Sequence, residues 1–328
     1  MEPFVHDAVL DMQLSRTRLN ETLDRLEGAH WDRYVPYGSR TVRDVLAHLA
    51  AADQSWALAA RGLLRGEADL AGALSPEDAR DARQRGIERG RQMSIAELRD
   101  EMARRRKLLL SLMDLLEPRH LAMRLPAFGE HDAVRERIWV GYHDRLHQAD
   151  IERALRTHWF PKPLTFLPEL APTIEALEPE PTLYVIYSVD PTCWERPSSL
   201  PGWSFRDLLA HIATGDWVLQ SHLRSVLERG APASWPDVAA GNAARIEARR
   251  FSTWEKLTDE FLSARHETML LLSHLRPEHL RAPITMRWLP EDRREGAMLD
   301  YLLAFPDHDR AHREQLRAAM RHRTSPRA

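Results

Sequence analysis

The residues best suited to chemistry in this chain are three histidines in its first half. His48 lies in the segment VRDVLAHLA, and His143 and His147 form a His-x-x-x-His pair much farther along the chain. Residues four apart on a helix share one face about a turn apart, so the paired rings can direct their nitrogens at one ion. A third imidazole from another helix would complete the set and leave a coordination position open, as in catalytic sites. Imidazole ligands suit Zn²⁺, Ni²⁺, Cu²⁺ or Fe²⁺.

The second half of the chain repeats this arrangement. His211 lies in FRDLLAHIA, and His308 and His312 form the second pair. The separation between the helix histidine and the pair is nearly the same in both halves. One such set alone is a weak indication, because the chain has 16 histidines and a lone histidine in an apolar helix is usually a core residue. The recurrence of the whole set favours a metal site in each half.

Helices must position these histidines, since apolar residues recur at spacings of three and four while strand-like alternation is almost absent. In the first half we expect helices at about 5–27, 41–64, 94–117 and 132–156. Ser/Thr-x-x-acid sequences mark the starts of the second and third of these. The connection at 65–92 is long enough for the helices on either side of it to run parallel, which favours a bundle with a crossover.

Other phrases show that the whole half is duplicated. Trp194-Glu-Arg aligns with Trp31-Asp-Arg at the same offset that relates His211 to His48, and the offset changes only in loops. An internal repeat of this length is one structural unit used twice. The sequence therefore predicts an all-α fold of two tandem four-helix bundles, residues 1–160 and 161–328.

Four acidic residues lie near the histidines, and we expect each to have a structural role. Asp44 and Asp207 lie four residues before the helix histidines, where a contact to the ring is conceivable but helix capping is favoured. Asp144 and Asp309 directly follow the first histidine of each pair and so point about 100° away around the helix. We expect these two on the surface, paired with the arginine that follows each of them.

Structural roles are also favoured for four further residues. Cys193 is the single cysteine and lies beside a tryptophan in a loop-like segment, so a structural role is favoured over a nucleophilic one. For Trp203, core packing is favoured, with the mouth of a site as the alternative. His120 and His279 also recur, but each follows a proline after a helix end, which favours a surface or capping role.

The composition excludes several classes of protein. The 328 residues carry a net charge of −3 and 43% hydrophobic residues, and the basic residues are interspersed with acidic ones. No basic stripe for nucleic acid, no apolar run of membrane-spanning length and no secretory signal are found. A single cysteine excludes a disulfide framework and predicts a cytoplasmic location.

Two phrases resemble the DinB/YfiT-like superfamily. One is the segment at the start of the second helix, seen best in Trp203 to Ala213, and the other is HDRLHQADI with its copy HDRAHREQL. The resemblance covers nearly the whole chain as two copies. It implies an up-down-down-up bundle in each half, with one divalent metal held by one second-helix and two fourth-helix histidines. Those residues here are His48, His143 and His147, then His211, His308 and His312.

The resemblance also implies an activity class. Similar proteins include thiol-dependent S-transferases, which use bacillithiol, mycothiol or glutathione, and mycothiol-dependent maleylpyruvate isomerase. We therefore predict a divalent-metal-dependent enzyme of the S-transferase or hydrolase type, with Zn²⁺ or Ni²⁺, a small-molecule substrate and a low-molecular-weight thiol cosubstrate. A non-catalytic metal-binding or stress-associated interaction module is the alternative, and a purely structural duplication is the third interpretation.

Two residues depart from the family pattern. Arg40 stands where the family often has tryptophan. Pro306 lies two residues before His308, and a proline inside a helix removes a hydrogen bond, so we expect the last helix to restart or bend there. Because single-bundle relatives often pair, we also expect the two repeats to pack as an intramolecular pseudo-dimer.

Overall fold

The chain forms two compact units, Met1–Pro163 and Leu164–Ala328. Both are built almost entirely of helices, so the all-α prediction is confirmed. None of the helices in the described ranges has the length and apolar character needed to span a bilayer. The computed structural model describes residues 3–321 except 36–39, 68–75, 124–133, 135–137, 139, 157–162, 190, 234–237 and 286–294.

The described residues of the N-terminal unit form four long helices, a shorter helix in the connection between the second and third of them, and a single-turn helix. They are α1 Pro3–Leu23, α2 Val42–Arg65, α3 Pro76–Gly90, α4 Ile95–Met113, α5 Pro118–Leu121 and α6 Gly141–Arg156. Helix α3 lies within the predicted long connection between α2 and α4. The predicted start of the last helix near residue 132 lies largely outside the described residues.

Local sequence signals set the ends of α2 and α4. The Thr41 hydroxyl accepts a hydrogen bond from the Asp44 amide while the Asp44 carboxylate accepts one from the Thr41 amide. Ser94 and Glu97 form the same reciprocal cap at α4. At the other end of α2, Gly66 adopts a left-handed φ of 68°, a conformation that costs glycine little because it has no Cβ. The two capping predictions are confirmed.

Helix α2 is the central element of the N-terminal unit, because it packs against both α3 and α4 and also contacts α6. Helix α1 lies along α6. Two apolar clusters fill the interior: Leu46 and Leu49 of α2 belong to one, and Met12 of α1 belongs to the other. Burial of these side chains brings the histidine-bearing helices α2 and α6 together.

The C-terminal unit has the same helix order with a shorter beginning. Its elements are α7 Ala171–Ala176, α8 Glu180–Ser188, α9 Phe205–Arg229, α10 Val238–Glu247, α11 Trp254–Ser273, α12 Pro277–Leu280, β1 Pro283–Thr285, β2 Glu295–Ala297 and α13 Met298–Arg321. The two strands pair antiparallel, with Ile284 opposite Gly296. Helix α9 packs on α11 as α2 packs on α4. Pro306 lies inside α13, which continues through it, so the helix does not restart there.

Candidate metal centres

The first histidine triad joins two helices of the N-terminal unit. His48 projects from α2, and His143 and His147 project from α6. Nε2 of His143 lies 3.0 Å from Nε2 of His48 and 3.2 Å from Nε2 of His147. All three side chains are buried. The structure thus brings together residues from two helices that are far apart in the sequence.

The chemistry of these nitrogens fits a metal ion. Nε2 of His143 carries either one proton or one lone pair, so it can form a good hydrogen bond with only one of its two neighbours. A cation at the centre would accept a lone pair from all three rings. Two nitrogens bound to one tetrahedral zinc at about 2.05 Å each lie roughly 3.3 Å apart, close to the separations in this triad. The three residues can therefore hold a divalent ion.

A buried carboxylate supports one ring of the first triad. Nδ1 of His147 lies 2.9 Å from Oδ2 of Asp150, which is three residues farther along α6. An ionised carboxylate only accepts hydrogen bonds, so Nδ1 carries the proton and Nε2 presents its lone pair to the centre. This arrangement fixes the orientation and the tautomer of the ring.

The second triad repeats the geometry in the C-terminal unit. Nε2 of His211, on α9, lies 3.0 Å from Nε2 of His308, on α13, and the His312 ring lies one turn beyond. Nδ1 of His312 lies 2.7 Å from Oε1 of Gln315. This triad is less buried than the first: the His308 side chain is 27% exposed. Trp203 packs its ring edge-on against His211 at a centroid distance of 5.1 Å.

Burial keeps two histidines of the second triad neutral. It lowers the pKa of His211 to about 3, and charge repulsion from His308, His312 and Arg245 acts in the same direction. Burial also lowers the pKa of His312 to about 4, with charge repulsion from His308 adding to it. Both rings are therefore unprotonated at neutral pH, which is the form that binds metal.

Asp144 has a different environment from the one expected from sequence. The prediction of a surface carboxylate paired with the following arginine is wrong: Asp144 is fully buried and contacts Arg16 and Arg106. Both arginines also contact Asp53 of α2. The two arginines and the two aspartates form one buried ion network. It links α1, α2, α4 and α6 beside His143.

The prediction of a surface carboxylate is also wrong for Asp309 in the C-terminal unit. It is buried and paired with Arg265, whose guanidinium also holds Asp216 at 3.0 Å. Burial raises the pKa of Asp216, and Thr268 donates a hydrogen bond to it at 2.7 Å. Burial works against ionisation of Asp309 too, but Arg265 and His308 outweigh it and lower the pKa of this carboxyl. One buried arginine therefore serves two carboxyl groups here.

Other sequence interpretations are settled by the contacts of the residues concerned. Asp44 and Asp207 cap their helices, and Asp44 also binds Arg91 through both carboxylate oxygens. Nδ1 of His120 and of His279 each accepts a hydrogen bond from a backbone amide three residues earlier. The capping interpretation is confirmed for all four, although both histidines are buried rather than at the surface. Cys193 is also buried.

Sequence reasoning missed the residues that support the triads. Asp150 and Gln315 lie three residues after the last histidine of each pair, a spacing that was visible in the sequence. The two buried arginines, Arg106 and Arg265, could have been found by comparing the two halves of the sequence. Arg265 aligns with Arg106 at the offset of the segments that flank them, which marks a charged residue kept at an interior helix position.

Comparison with known proteins identifies the family. A sequence model described as the DinB superfamily matches residues 11–151 and again residues 178–316. No curated protein and no solved structure matches the chain. The two matched regions cover most of the sequence and each contains one complete triad. The chain therefore belongs to the DinB superfamily and carries two tandem copies of its domain.

Proposed function

We propose that this protein is a divalent-metal-dependent enzyme of the thiol S-transferase or hydrolase type, with one ion in each histidine triad. The observation that supports this most is the convergence of ring nitrogens from two helices in both units, with two Nε2 atoms 3.0 Å apart in each. Zn²⁺ and Ni²⁺ are the ions we propose, because both are bound well by imidazole. Three protein ligands leave at least one position for a substrate, as catalytic sites require.

We also propose that each unit is a four-helix bundle of up-down-down-up topology. In the N-terminal unit, α1 lies along α6 and α2 lies along α4, and α3 crosses between α2 and α4. A crossover helix of this kind supports a parallel arrangement of the helices that it joins. Such a bundle directs side chains of facing helices inward, where metal sites of bundles are built.

The protein residues have definable roles in this proposal. When bound, an ion of this class would supply Lewis-acid activation of a thiol or of water by lowering its pKa. His48, His143 and His147 would hold it through neutral nitrogens, and Asp150 would fix the orientation of the His147 ring. The buried surroundings of this triad limit the access of bulk water.

The remaining parts of the proposal concern partners. A small-molecule electrophile as substrate and a low-molecular-weight thiol as cosubstrate follow from the activities of similar proteins. The pseudo-dimer of the two units stays a prediction, and the mass of the protein in solution together with its small-angle scattering would test it. The cytoplasmic location stays a prediction that rests on the single cysteine.

Elemental analysis of protein purified without a histidine tag tests the metal proposal. We expect two ions per chain after supplementation with Zn²⁺ or Ni²⁺. His48→Ala and His211→Ala should each remove one ion, and the double variant should bind none. Protein that takes up no ion under any of these conditions would overturn the proposal.

A panel of thiols with electrophilic acceptors tests the enzymatic part. We expect metal-dependent consumption of at least one thiol, measured as loss of free sulfhydryl groups, and we expect the double histidine variant to be inactive. Ion binding without any turnover across the thiol panel and across ester and amide substrates would instead favour a non-catalytic metal-binding module.

A further inference from the structure

The two histidine triads differ at one aligned position. Asp150 lies beside His147 in the N-terminal unit, and Gln315 lies beside His312 in the C-terminal unit. Gln315 aligns with Asp150 at the same offset that relates the two His-x-x-x-His pairs. Each side chain contacts Nδ1 of the last histidine, at 2.9 Å for Asp150 and 2.7 Å for Gln315. The hydrogen bond is kept, but a carboxylate is replaced by a neutral amide.

This replacement changes how strongly the ring binds an ion. A carboxylate on Nδ1 withdraws its proton partly and adds a negative charge near the metal, whereas an amide oxygen orients the ring without that charge. Loss of such a supporting contact typically lowers metal affinity about 10- to 100-fold. Burial acts in the same direction, because the first triad is screened from solvent more completely than the second.

One contact in the second triad would strengthen metal binding there, but it is weaker than the contact between His147 and Asp150. Nδ1 of His308 lies 3.5 Å from Oδ1 of Asp309, at the limit for a hydrogen bond. The same carboxylate is engaged by Arg265, which neutralises it. The contact between His147 and Asp150, at 2.9 Å, is much shorter and so outweighs it.

We propose that the two centres are inequivalent, with a tightly held ion in the first triad and a weakly held, exchangeable ion in the second. Asp150 is the positioning residue that makes the difference, through His147. This inference rests on the proposed function, since it requires that both triads bind metal. It assigns the second centre as the one that gains or loses its ion with the surrounding metal concentration.

Competition of the full-length protein with a chromogenic chelator for Zn²⁺ tests this inference. We expect two dissociation constants that differ by about 10- to 100-fold. His48→Ala should remove the tighter site and His211→Ala the weaker one. Asp150→Asn should weaken the tight site by at least about tenfold, and Gln315→Glu should strengthen the weak one.

The reciprocal pair of variants separates this role from a structural one. A general loss of structure at Asp150→Asn would not predict a gain of affinity at Gln315→Glu. Two sites of equal affinity, or affinities that neither variant changes, would overturn the inference while leaving the proposed function standing. No zinc uptake at all would overturn the proposed function itself.

A second difference lies on the crossover helices. In α3, Gly86 packs so closely on α2 that a Cβ atom would lie 2.6 Å from the Ala51 Cβ. The aligned residue of α10 is Arg245, as shown by the match of GIERGR, residues 86–91, with RIEARR, residues 245–250. A glycine that allows close helix packing in one unit is thus an arginine in the other.

Arg245 is half-buried and lacks an acidic partner within the described part of the chain. Its contact there is with Oδ1 of Asn242, at 3.5 Å. By contrast, Arg249, one turn later, binds Glu260 at 2.6 Å and stacks on the Trp217 ring.

Helix α10 packs on α9, the helix that carries His211. In the N-terminal unit the aligned Gly86 packs on Ala51, one turn after His48. The same packing places Arg245 about one turn from His211, and its charge helps to lower the pKa of that ring. A partly desolvated cation beside an open metal site is a natural partner for an anion.

We propose that Arg245 binds the carboxylate of a substrate or cosubstrate at the second centre. The probe is Co²⁺-loaded full-length His48→Ala protein, in which cobalt occupies the second triad alone, titrated with acetate and followed by its visible absorption. We expect Arg245→Gln to raise the dissociation constant for acetate about tenfold. The control is Arg250→Gln, which removes an equal charge from an exposed position and should leave the constant unchanged.

The titration distinguishes a failure of the Arg245 assignment from a failure of the proposed metal centre. Equal acetate affinities for the parent and Arg245→Gln would overturn the assignment of Arg245. An equal loss in both arginine variants would show general electrostatic attraction rather than a site, and would overturn it too. Absence of a cobalt spectrum would instead count against the proposed metal centre.

Discussion

The guanidinium of Arg106 lies 3.2 Å from Oδ1 of Asp144, in the interior of the N-terminal unit. This contact links α4 to the helix that carries His143, the residue just before Asp144. Arg265 and Asp309 form the corresponding pair in the C-terminal unit. Each triad is therefore positioned by a buried ion pair, so that substitutions at these arginines act on both stability and the site.

Loss of the arginine in the C-terminal unit should be severe. Arg265→Met leaves Asp216 and Asp309 buried without their shared cation, and breaking a buried pair costs about 3–5 kcal/mol. We expect the free energy of unfolding of this unit to fall by that amount at pH 7, measured by urea unfolding with circular dichroism. A loss below about 1 kcal/mol would contradict the assigned role.

The corresponding substitution in the N-terminal unit is the matched control. Arg106→Met removes one of two cations, and Arg16 still contacts Asp53 at 3.0 Å and Asp144 at 2.8 Å. We therefore expect a smaller loss of unfolding free energy than for Arg265→Met. An equal loss of unfolding free energy in both variants would show that Arg16 does not compensate the two aspartates once Arg106 is removed.

His120 separates metal binding from helix capping among the recurring histidines. Its Nδ1 accepts a hydrogen bond from the Glu117 amide at 2.9 Å, and it belongs to neither triad. His120→Ala should cost about 1 kcal/mol of unfolding free energy, typical of a lost cap, and should leave metal content unchanged. His147→Ala should lower the metal content by one ion per chain. Elemental analysis of both variants distinguishes the two roles.

Gly86 should resist even the smallest substitution. Alanine is the better helix former by about 1 kcal/mol, but its methyl group would lie 2.6 Å from the Ala51 Cβ. Neither atom is at the end of a flexible side chain, so a helix must shift, and overpacking typically costs about 1–3 kcal/mol. We expect Gly86→Ala to destabilise the N-terminal unit and Ala51→Gly to restore part of the loss. Increased stability in Gly86→Ala would show that α3 moves freely.

His222 gives the C-terminal unit a pH-dependent stability that is independent of metal. It is buried against the Tyr301 ring, and burial lowers its pKa to about 4. In the unfolded chain histidine titrates near pH 6.5, so between about pH 6.5 and about 4 the unfolded state binds more protons. The free energy of unfolding should therefore decrease as the pH falls through this range.

The test compares the parent with His222→Gln in the presence of a chelator. Glutamine does not titrate, so the dependence of the unfolding free energy on pH should become shallower, by up to about one proton. Urea unfolding at several pH values between about 4.5 and 7.5 gives both slopes. Parallel slopes would show that His222 has the same pKa in the folded and the unfolded protein.

Much of the architecture was predictable because it depends on local sequence. Thr41 with Asp44, and Ser204 with Asp207, marked the starts of α2 and α9, since a cap depends on residues three apart. Pro306 predicted either a restart or a bend of the last helix, and the restart does not occur. A proline removes one hydrogen bond, and the packing of the flanking turns keeps α13 continuous around it.

The sequence by itself determined the helical fold, the duplication and the six histidines that converge, because spacings of four and matched offsets are properties of the chain order. Only the tertiary structure decided the environment of Asp144. A position about 100° around a helix from His143 faces solvent on an isolated helix. In the folded unit α6 packs against both α1 and α2, so two of its faces are interior. Which arginines meet Asp144 depends on those neighbouring helices, whereas the contact between Asp150 and His147 follows from their spacing of three residues on α6.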